Sequence, residues 1–197
     1  MSGQRRLSQA ISEGDGISLI TPAADADAAA AAERGGAEGV VLDAKVPSIR
    51  DATVLPILWR VDASPAEALA AGADALLLVS GLLEDDAEYV ERRWQEADEI
   101  GLECVVEVSD ADEIELALER LDPEIFLLAP QEADDADDPL ASVLDLLPDV
   151  PAGKLAIADL DVTTPDEIAE LERAGVDAVI VASHNLAGLV RAAPPEV

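Results

Sequence analysis

The stretch Ala71-Gly72-Ala73-Asp74-Ala75-Leu76-Leu77-Leu78-Val79 decides the fold. Its glycine can take the left-handed backbone that ends a helix, an acid follows, and an unbroken apolar run comes next. That run is too short for a helix and suits a strand covered on both faces. The arrangement recurs as Gly36-Ala37-Glu38 ahead of 39–42 and Gly175-Val176-Asp177 ahead of 178–181. A repeated turn from helix into buried strand implies parallel strands joined by crossover helices.

Working outward, apolar runs at 17–20, 39–42, 54–60, 75–79, 103–108, 125–129, 154–158 and 178–181 predict eight strands, the number that closes a barrel. Helices are predicted at 25–34, 65–71, 87–100, 111–121, 140–147, 165–174 and 185–192, with only a short turn at 48–51 between the second and third strands. Ser64-Pro65-Ala66-Glu67 and Thr164-Pro165-Asp166-Glu167 place a hydroxyl before proline and a glutamate three residues on, which is the chemistry of a helix start. The predicted fold is α/β, a compact single-domain (β/α)₈ TIM barrel over 17–192, with a flexible segment at 1–16 and a tail at 193–197. A doubly wound open sheet is the competing arrangement. No glycine-rich dinucleotide or phosphate-loop fingerprint follows any strand, so the usual reason to prefer that sheet is missing and no cofactor is expected.

The chain has 197 residues, half of them hydrophobic and 2% aromatic, so its interior must be built from small and branched aliphatic side chains. It carries 43 Asp and Glu against 12 Lys and Arg, a net charge of −31 spread along the sequence while the apolar periodicity persists. That combination argues against disorder and for a carboxylate surface adapted to high salt, where the Debye length falls to roughly 3 Å and self-repulsion is screened. Phosphate backbones and anionic lipids would be repelled, so no nucleic acid and no membrane are expected as partners. No apolar run reaches the length of a membrane span and 1–16 lacks the apolar centre of a signal peptide, so the cytoplasm is the expected location. Cys104, the single cysteine, rules out an internal disulfide and a cysteine-rich metal site, and it reads as a small buried residue. Trp59 and Trp94 read as packing residues.

Function in a barrel of this kind belongs at the C-terminal strand tips. These are Thr21, Asp43 with Lys45, Arg60 with Asp62, Ser80, Glu107 with Ser109, Gln131 with Glu132, Asp159 with Asp161, and Ser183-His184-Asn185. Ser183, His184 and Asn185 could offer donors to an anion at a strand-to-helix exit. His184, the only histidine, could also serve as an acid–base group or simply sit on the surface. The acidic run 132–138 could gather a hard cation or be a solvated loop, and no metal site is assigned.

Leu55-Pro56-Ile57-Leu58-Trp59-Arg60, the 71–79 stretch, and Gly101-Leu102-Glu103-Cys104-Val105-Val106-Glu107-Val108 resemble strands three to five of indole-3-glycerol-phosphate synthase, a ribulose-phosphate-binding barrel. Val162-Thr163-Thr164-Pro165-Asp166-Glu167-Ile168 and Gly175-Val176-Asp177-Ala178-Val179-Ile180-Val181 resemble its strand-seven exit and strand eight. The family closes an indole ring on a phosphorylated sugar with loss of carbon dioxide and water. The resemblance implies Glu107 as a catalytic carboxylate, Asp159 in place of a longer glutamate, and Arg60 and Ser109 toward a phosphorylated small molecule. Arg60 stands where the family has a lysine acid. A guanidinium does not release its proton in a protein; Lys45 could substitute in that role or simply be an exposed surface lysine.

Leu19 and Thr21 replace a glutamate and a lysine of the family, residues 129–132 replace an asparagine and an arginine, and Asp161 and Ala182 replace phosphate-cradling glycines. The family's N-terminal helical extension is expected to have no counterpart before residue 17. Three readings follow. The barrel has lost the synthase reaction and acts as a binding or regulatory homologue, with a protein partner or paralogue. It is an active lyase or isomerase on a phosphosugar related to tryptophan biosynthesis, using Glu107 and Asp159 with Arg60 as anion anchor. Or it has a cation-dependent activity at its acidic tips. The replaced residues favour the first.

Overall fold

All eight apolar runs become parallel strands in the computed structural model, which describes residues 6–14, 16–130 and 138–190. They are β1 Ser18–Pro22, β2 Gly39–Leu42, β3 Ile57–Trp59, β4 Ala75–Val79, β5 Glu103–Val108, β6 Ile125–Leu128, β7 Leu155–Asp159 and β8 Ala178–Ile180. They close in sequence order, with β8 pairing back onto β1 through Ser18 opposite Ala178, so the sheet is a TIM barrel and not a doubly wound sheet. Around it run α1 Leu7–Ser12, α2 Ala26–Arg34, α3 Ile49–Ala52, α4 Pro65–Ala70, α5 Gly81–Ile100, α6 Ala111–Arg120, α7 Pro139–Leu146, α8 Pro165–Ala174 and α9 Leu186–Leu189. Among the described residues no helix is long and apolar enough to cross a membrane.

The repeat has a physical basis in hydrogen bonding. Gly72 and Gly175 take φ of 96° and 102°, which reverses the chain out of α4 and α8. The acid two residues later then accepts a backbone N–H at the start of the strand preceding its own: Ile57 N–H to Asp74 and Ala156 N–H to Asp177, each at 2.8 Å. Burial pushes both carboxyls above their ordinary range, against the pull of Arg50 on Asp74 and of the Ala156 amide on Asp177. Both capping boxes form, at Ser64 with Glu67 and at Thr164 with Glu167. The hydrogen bonds their carboxylates accept, from the Ser64 backbone above all and from the Thr164 hydroxyl, hold both glutamates below the usual range.

Two nested cores follow from the period-two alternation of the strands. Ile20, Val41, Leu58, Ala75, Val105, Leu127, Ile157 and Ile180 fill the barrel lumen, while Val40, Trp59, Leu76, Val106, Phe126 and Val179 face the helices. Cys104 lies in the outer layer at 8% exposure, where desolvation raises its thiol to about 12, an unreactive group. Trp59 is fully buried there, and half-buried Trp94 packs on the same layer.

Two expectations are corrected and a third is extended. The segment 1–16 is not wholly flexible, because Leu7–Ser12 is a helix whose Leu7 and Ile11 enter the lumen core and close the barrel floor. Ser8 anchors it by donating through both its hydroxyl and its backbone N–H to Glu103, at 2.5 and 3.1 Å. Strand three begins at Ile57 instead of 54: Pro56 has no N–H to give a ladder, and the N–H of Val54 goes to Glu33 at 3.1 Å. The helix expected at 87–100 forms: the backbone breaks at Asp86 (φ −147°, ψ 67°), whose carboxylate accepts from the Tyr89 N–H at 3.2 Å, and a further helical stretch from Gly81 precedes that break within α5. The tail 193–197 and all but Asp138 of the acidic run 132–138 lie outside the described residues; Asp138 caps α7 by accepting from Leu140 N–H.

Candidate functional site at the barrel mouth

Two residues beyond the upper lumen layer, in the same phase, the strands present Pro22, Asp43, Arg60, Val79, Glu107, Ala129, Asp159 and Ala182 at their C-terminal exits. Three of these are acids and one is a base. Strands β3 and β7 stand opposite each other in a ring of eight, and Arg60 reaches from one to the other. Its Nη1 donates to Asp159 Oδ2 at 2.6 Å while Nε donates to Asp43 Oδ1 on the β2 exit at 2.7 Å. A guanidinium bar therefore lies across the mouth, held at both ends by carboxylates.

The electrostatics follow from this bar. Burial opposes the charge on Arg60, yet Asp43 and Asp159 outweigh it and raise the guanidinium pKa further, leaving Arg60 permanently charged. Asp159 is pushed up by burial, an effect only partly offset by Arg60. Glu107, half-buried, is raised by burial first and then by the like charge of Asp159, with Arg60 pulling the other way and Glu113 adding a further like charge. Among the described residues Glu107 has no hydrogen-bond partner and no ion pair, so its carboxyl is free to give or take a proton. Its neighbours on the strand ladder are Val79 and Leu127, and neither is polar.

The residues singled out from sequence fall into two groups. Glu107, Asp159 and Arg60 converge on the mouth. Lys45 does not join them, because it is exposed beyond the β2 exit and its charge is felt at Glu67 beside α4, whereas the charges bearing on Glu107 are Asp159, Arg60 and Glu113. The anion donors are already engaged. Ser183 Oγ donates to Pro22 O at 2.9 Å, and Asn185 Nδ2 donates to Val162 O at 3.2 Å. The backbone N–H of Ser109 goes to Glu113 at 2.6 Å. His184 and Asp161 are exposed, and α9 after Asn185 is a four-residue turn. Thr21, fully buried, donates its hydroxyl to Val181 O at 2.9 Å and stitches β1 to the β8 exit. Among the described residues no group of three potential metal-binding side chains is present.

Sequence reasoning missed Glu113. The signal was present in Asp110-Ala111-Asp112-Glu113, a cap followed three residues later by glutamate, directly after Glu107. Asp110 does cap α6, accepting from Glu113 N–H at 2.9 Å, but the Glu113 carboxylate turns instead to Ser109 N–H and to the buried Ser80 hydroxyl, the latter at 2.8 Å.

With this geometry in hand, comparison with known proteins is informative. The family model for indole-3-glycerol phosphate synthase matches residues 61–188. A protein of that name from Shouchella clausii (strain KSM-K16) is 31% identical over 143 residues, covering 70% of this chain and 55% of the relative. One from Variovorax paradoxus (strain S110) is 34% identical over 135 residues, covering 64% and 48%. The chain thus spans about half the length of the curated relatives it matches. Among solved structures, an N-acetylmannosamine-6-phosphate 2-epimerase from Clostridium perfringens superimposes with a TM-score of 0.68 at 17% identity, over 85% of this chain and 87% of that one. A mutant tryptophan synthase alpha-subunit from Pyrococcus furiosus does so at 0.66 and 14%, over 88% and 97%. Those two likenesses carry the fold alone. With the family model running from residue 61 to residue 188 over a closed eight-stranded barrel, this chain belongs to the indole-3-glycerol phosphate synthase family.

Proposed function

We propose that this family member has lost the ring-closing reaction and that its barrel mouth now serves binding or regulation. The observation that carries this reading is the Arg60 bar. The one cation of the mouth layer is paired with Asp43 and Asp159, and the position offers no group able to donate a proton near neutral pH. Ring closure with loss of water requires such a donor. The internal engagement of Ser183 and Asn185 supports the same reading, since a phosphate would have to displace bonds already made to backbone carbonyls. The test is turnover in molar KCl of the open-chain precursor of indole-3-glycerol phosphate, with calorimetry of indole-3-glycerol phosphate itself. Indole-3-glycerol phosphate formed at a rate of about 1 s⁻¹, within the ordinary enzyme range, would overturn the reading.

One observation favours a second reading, a lyase or isomerase acting on a phosphosugar. Glu107 has no hydrogen-bond partner among the described residues and its pKa is raised, which suits proton transfer at carbon or oxygen, with Asp159 beside it and Arg60 as anion anchor. Anion binding by Arg60 would then have to release Asp43 or Asp159. Saturable binding of a simple sugar phosphate that is abolished in Arg60→Met would support it; no binding would exclude it.

The net charge of −31 supports a cytoplasm of high salt as the working environment. The melting temperature should rise between 0.1 and 2 M KCl, and a flat profile would contradict that. A regulatory role implies a protein partner, for which an active paralogue is the natural candidate. Co-elution of the two at molar salt would support the pairing.

A further inference from the structure

Three helices of this barrel start with a capping residue followed three positions later by glutamate, and one of them departs from the pattern. Glu67 and Glu167 return to the backbone N–H of their own caps, Ser64 and Thr164, at 3.1 and 2.8 Å. Glu113 occupies the corresponding position in α6, and its Oε2 skips its own cap N–H for the one before it, which Glu167 also takes from Thr163 at 3.0 Å, and adds a hydroxyl from another strand exit. It accepts from the Ser109 N–H on the β5 exit at 2.6 Å and from the Ser80 hydroxyl on the β4 exit at 2.8 Å. Ser80 departs from pattern as well. It stands at the cap position of α5 but makes no side-chain cap bond, and its hydroxyl, fully buried, is turned to Glu113. The other carboxylate oxygen, Oε1, lies against Gly81, 3.2 Å from where a Cβ at that position would sit. One glutamate therefore clasps the exits of two adjacent strands, and between those exits Val79 pairs with Glu107 in the ladder.

We propose that Glu113 is a positioning residue for the mouth carboxylate Glu107, tying the exit of its own strand β5 to that of neighbouring β4 and placing a second negative charge near it. Capping α6 does not need this arrangement, since Asp110 already satisfies a first-turn N–H. A carboxylate that needs only to finish a cap returns to the backbone N–H of that cap, as those of Glu67 and Glu167 do. Glu113 is drawn partly inside, against a buried hydroxyl. The charged groups that face Glu107 are Asp159 from β7, Arg60 from β3 and Glu113 from α6, and of the two like charges only Glu113 is free of an ion pair to Arg60. The consequence is a Glu107 that keeps its proton to higher pH than an ordinary glutamate. This inference rests on Glu107 being the free carboxylate of the mouth and not on any turnover, so it stands or falls independently of either functional reading.

The test uses the full chain in molar KCl, with the Glu107 carboxyl carbon assigned by its loss in Glu107→Gln and followed by ¹³C NMR through a pH titration. Glu113→Gln keeps an acceptor for Ser80 or Ser109 but removes the charge, and the Glu107 midpoint should fall. Ser80→Ala removes one arm of the clasp and leaves the charge, so the midpoint should move less than in Glu113→Gln. Hydrogen exchange at the Ser109 amide should quicken about ten- to a hundredfold in Glu113→Ala, the loss expected for a hydrogen bond to a charged group. An unchanged or raised midpoint in Glu113→Gln overturns the proposal, as does an equal fall in Ser80→Ala, which would make the clasp a purely structural tie.

Discussion

Strand β5 puts a glutamate at each end of the same barrel, on the same inward face, four residues apart. At the floor, Glu103 accepts two hydrogen bonds from Ser8 and holds the plugging helix in place. At the mouth, Glu107 accepts none from the described residues and faces Asp159 and Arg60. Residue type, strand and phase are identical, so the difference lies in what the rest of the chain brings to each end. A half-buried carboxylate given donors is a structural fastener. One denied donors holds its proton more tightly, and the fold tolerates that cost only where something else is gained.

The comparison breaks most visibly at the floor. Leu7→Ala should destabilise the protein by about 2–5 kcal/mol, the range for removing a fully buried leucine, as measured by denaturant midpoint at fixed molar salt. A cost below about 1 kcal/mol would mean that the helix does not seal the lumen. Arg60→Met cuts the bar at the mouth and leaves Asp43 and Asp159 facing each other. The cost should be about 1–3 kcal/mol, below the value for a fully buried pair because all three side chains keep some contact with water. Glu103→Ala strips Ser8 of its acceptor and should cost about 1–3 kcal/mol, with faster hydrogen exchange across α1 and no change at the mouth.

The smallest effect is the most informative, because its sign differs between the mouth carboxyls and the glutamates that cap α4 and α8. Glu107 and Asp159 bind protons more readily folded than unfolded. Between their ordinary values of 4.5 and 3.8 and their raised folded values, stability therefore falls as pH rises, and above the folded values that loss is complete. Glu107→Gln should make the protein slightly more stable at pH 7 and flatten that arm of the profile. The capping glutamates Glu67 and Glu167 act in the opposite sense. Their stabilisation is present above 4.5 and is lost as pH falls through their lowered folded values, so Thr164→Ala should cost about 1 kcal/mol near neutrality and less in acid. A loss of stability in Glu107→Gln at pH 7 would place Glu107 with the fasteners.

The barrel was legible because each strand repeats its own local instruction. Gly72-Ala73-Asp74 carries a helix stop, a hydrogen-bond acceptor and a buried run within a few residues, and such a signal needs no knowledge of the remainder. Helix α1 was not legible. Leu7, Ala10 and Ile11 have helical spacing, but six residues do not form a stable helix in water, and only the open barrel floor makes one favourable. The helix from 87 was legible through its cap at Asp86, whereas the helical stretch from Gly81 ahead of it was hidden, since Ser80 turns to Glu113 instead of capping.

For the site, strand phase was enough to bring Glu107, Arg60 and Asp159 to one end, because alternation places every second residue on the inner face. Lys45 stands exposed, the alternative left open for it, because it lies past the strand end, where alternation no longer says which way a side chain turns. The sequence by itself therefore determined the strand count, the turn chemistry, the charge and the set of side chains lining the mouth. Tertiary structure alone decided which of them are paired. Arg60 and Asp159 are 99 positions apart and Ser8 and Glu103 are 95 apart, and no local rule links residues at such separations until the barrel closes and sets opposite strands facing each other.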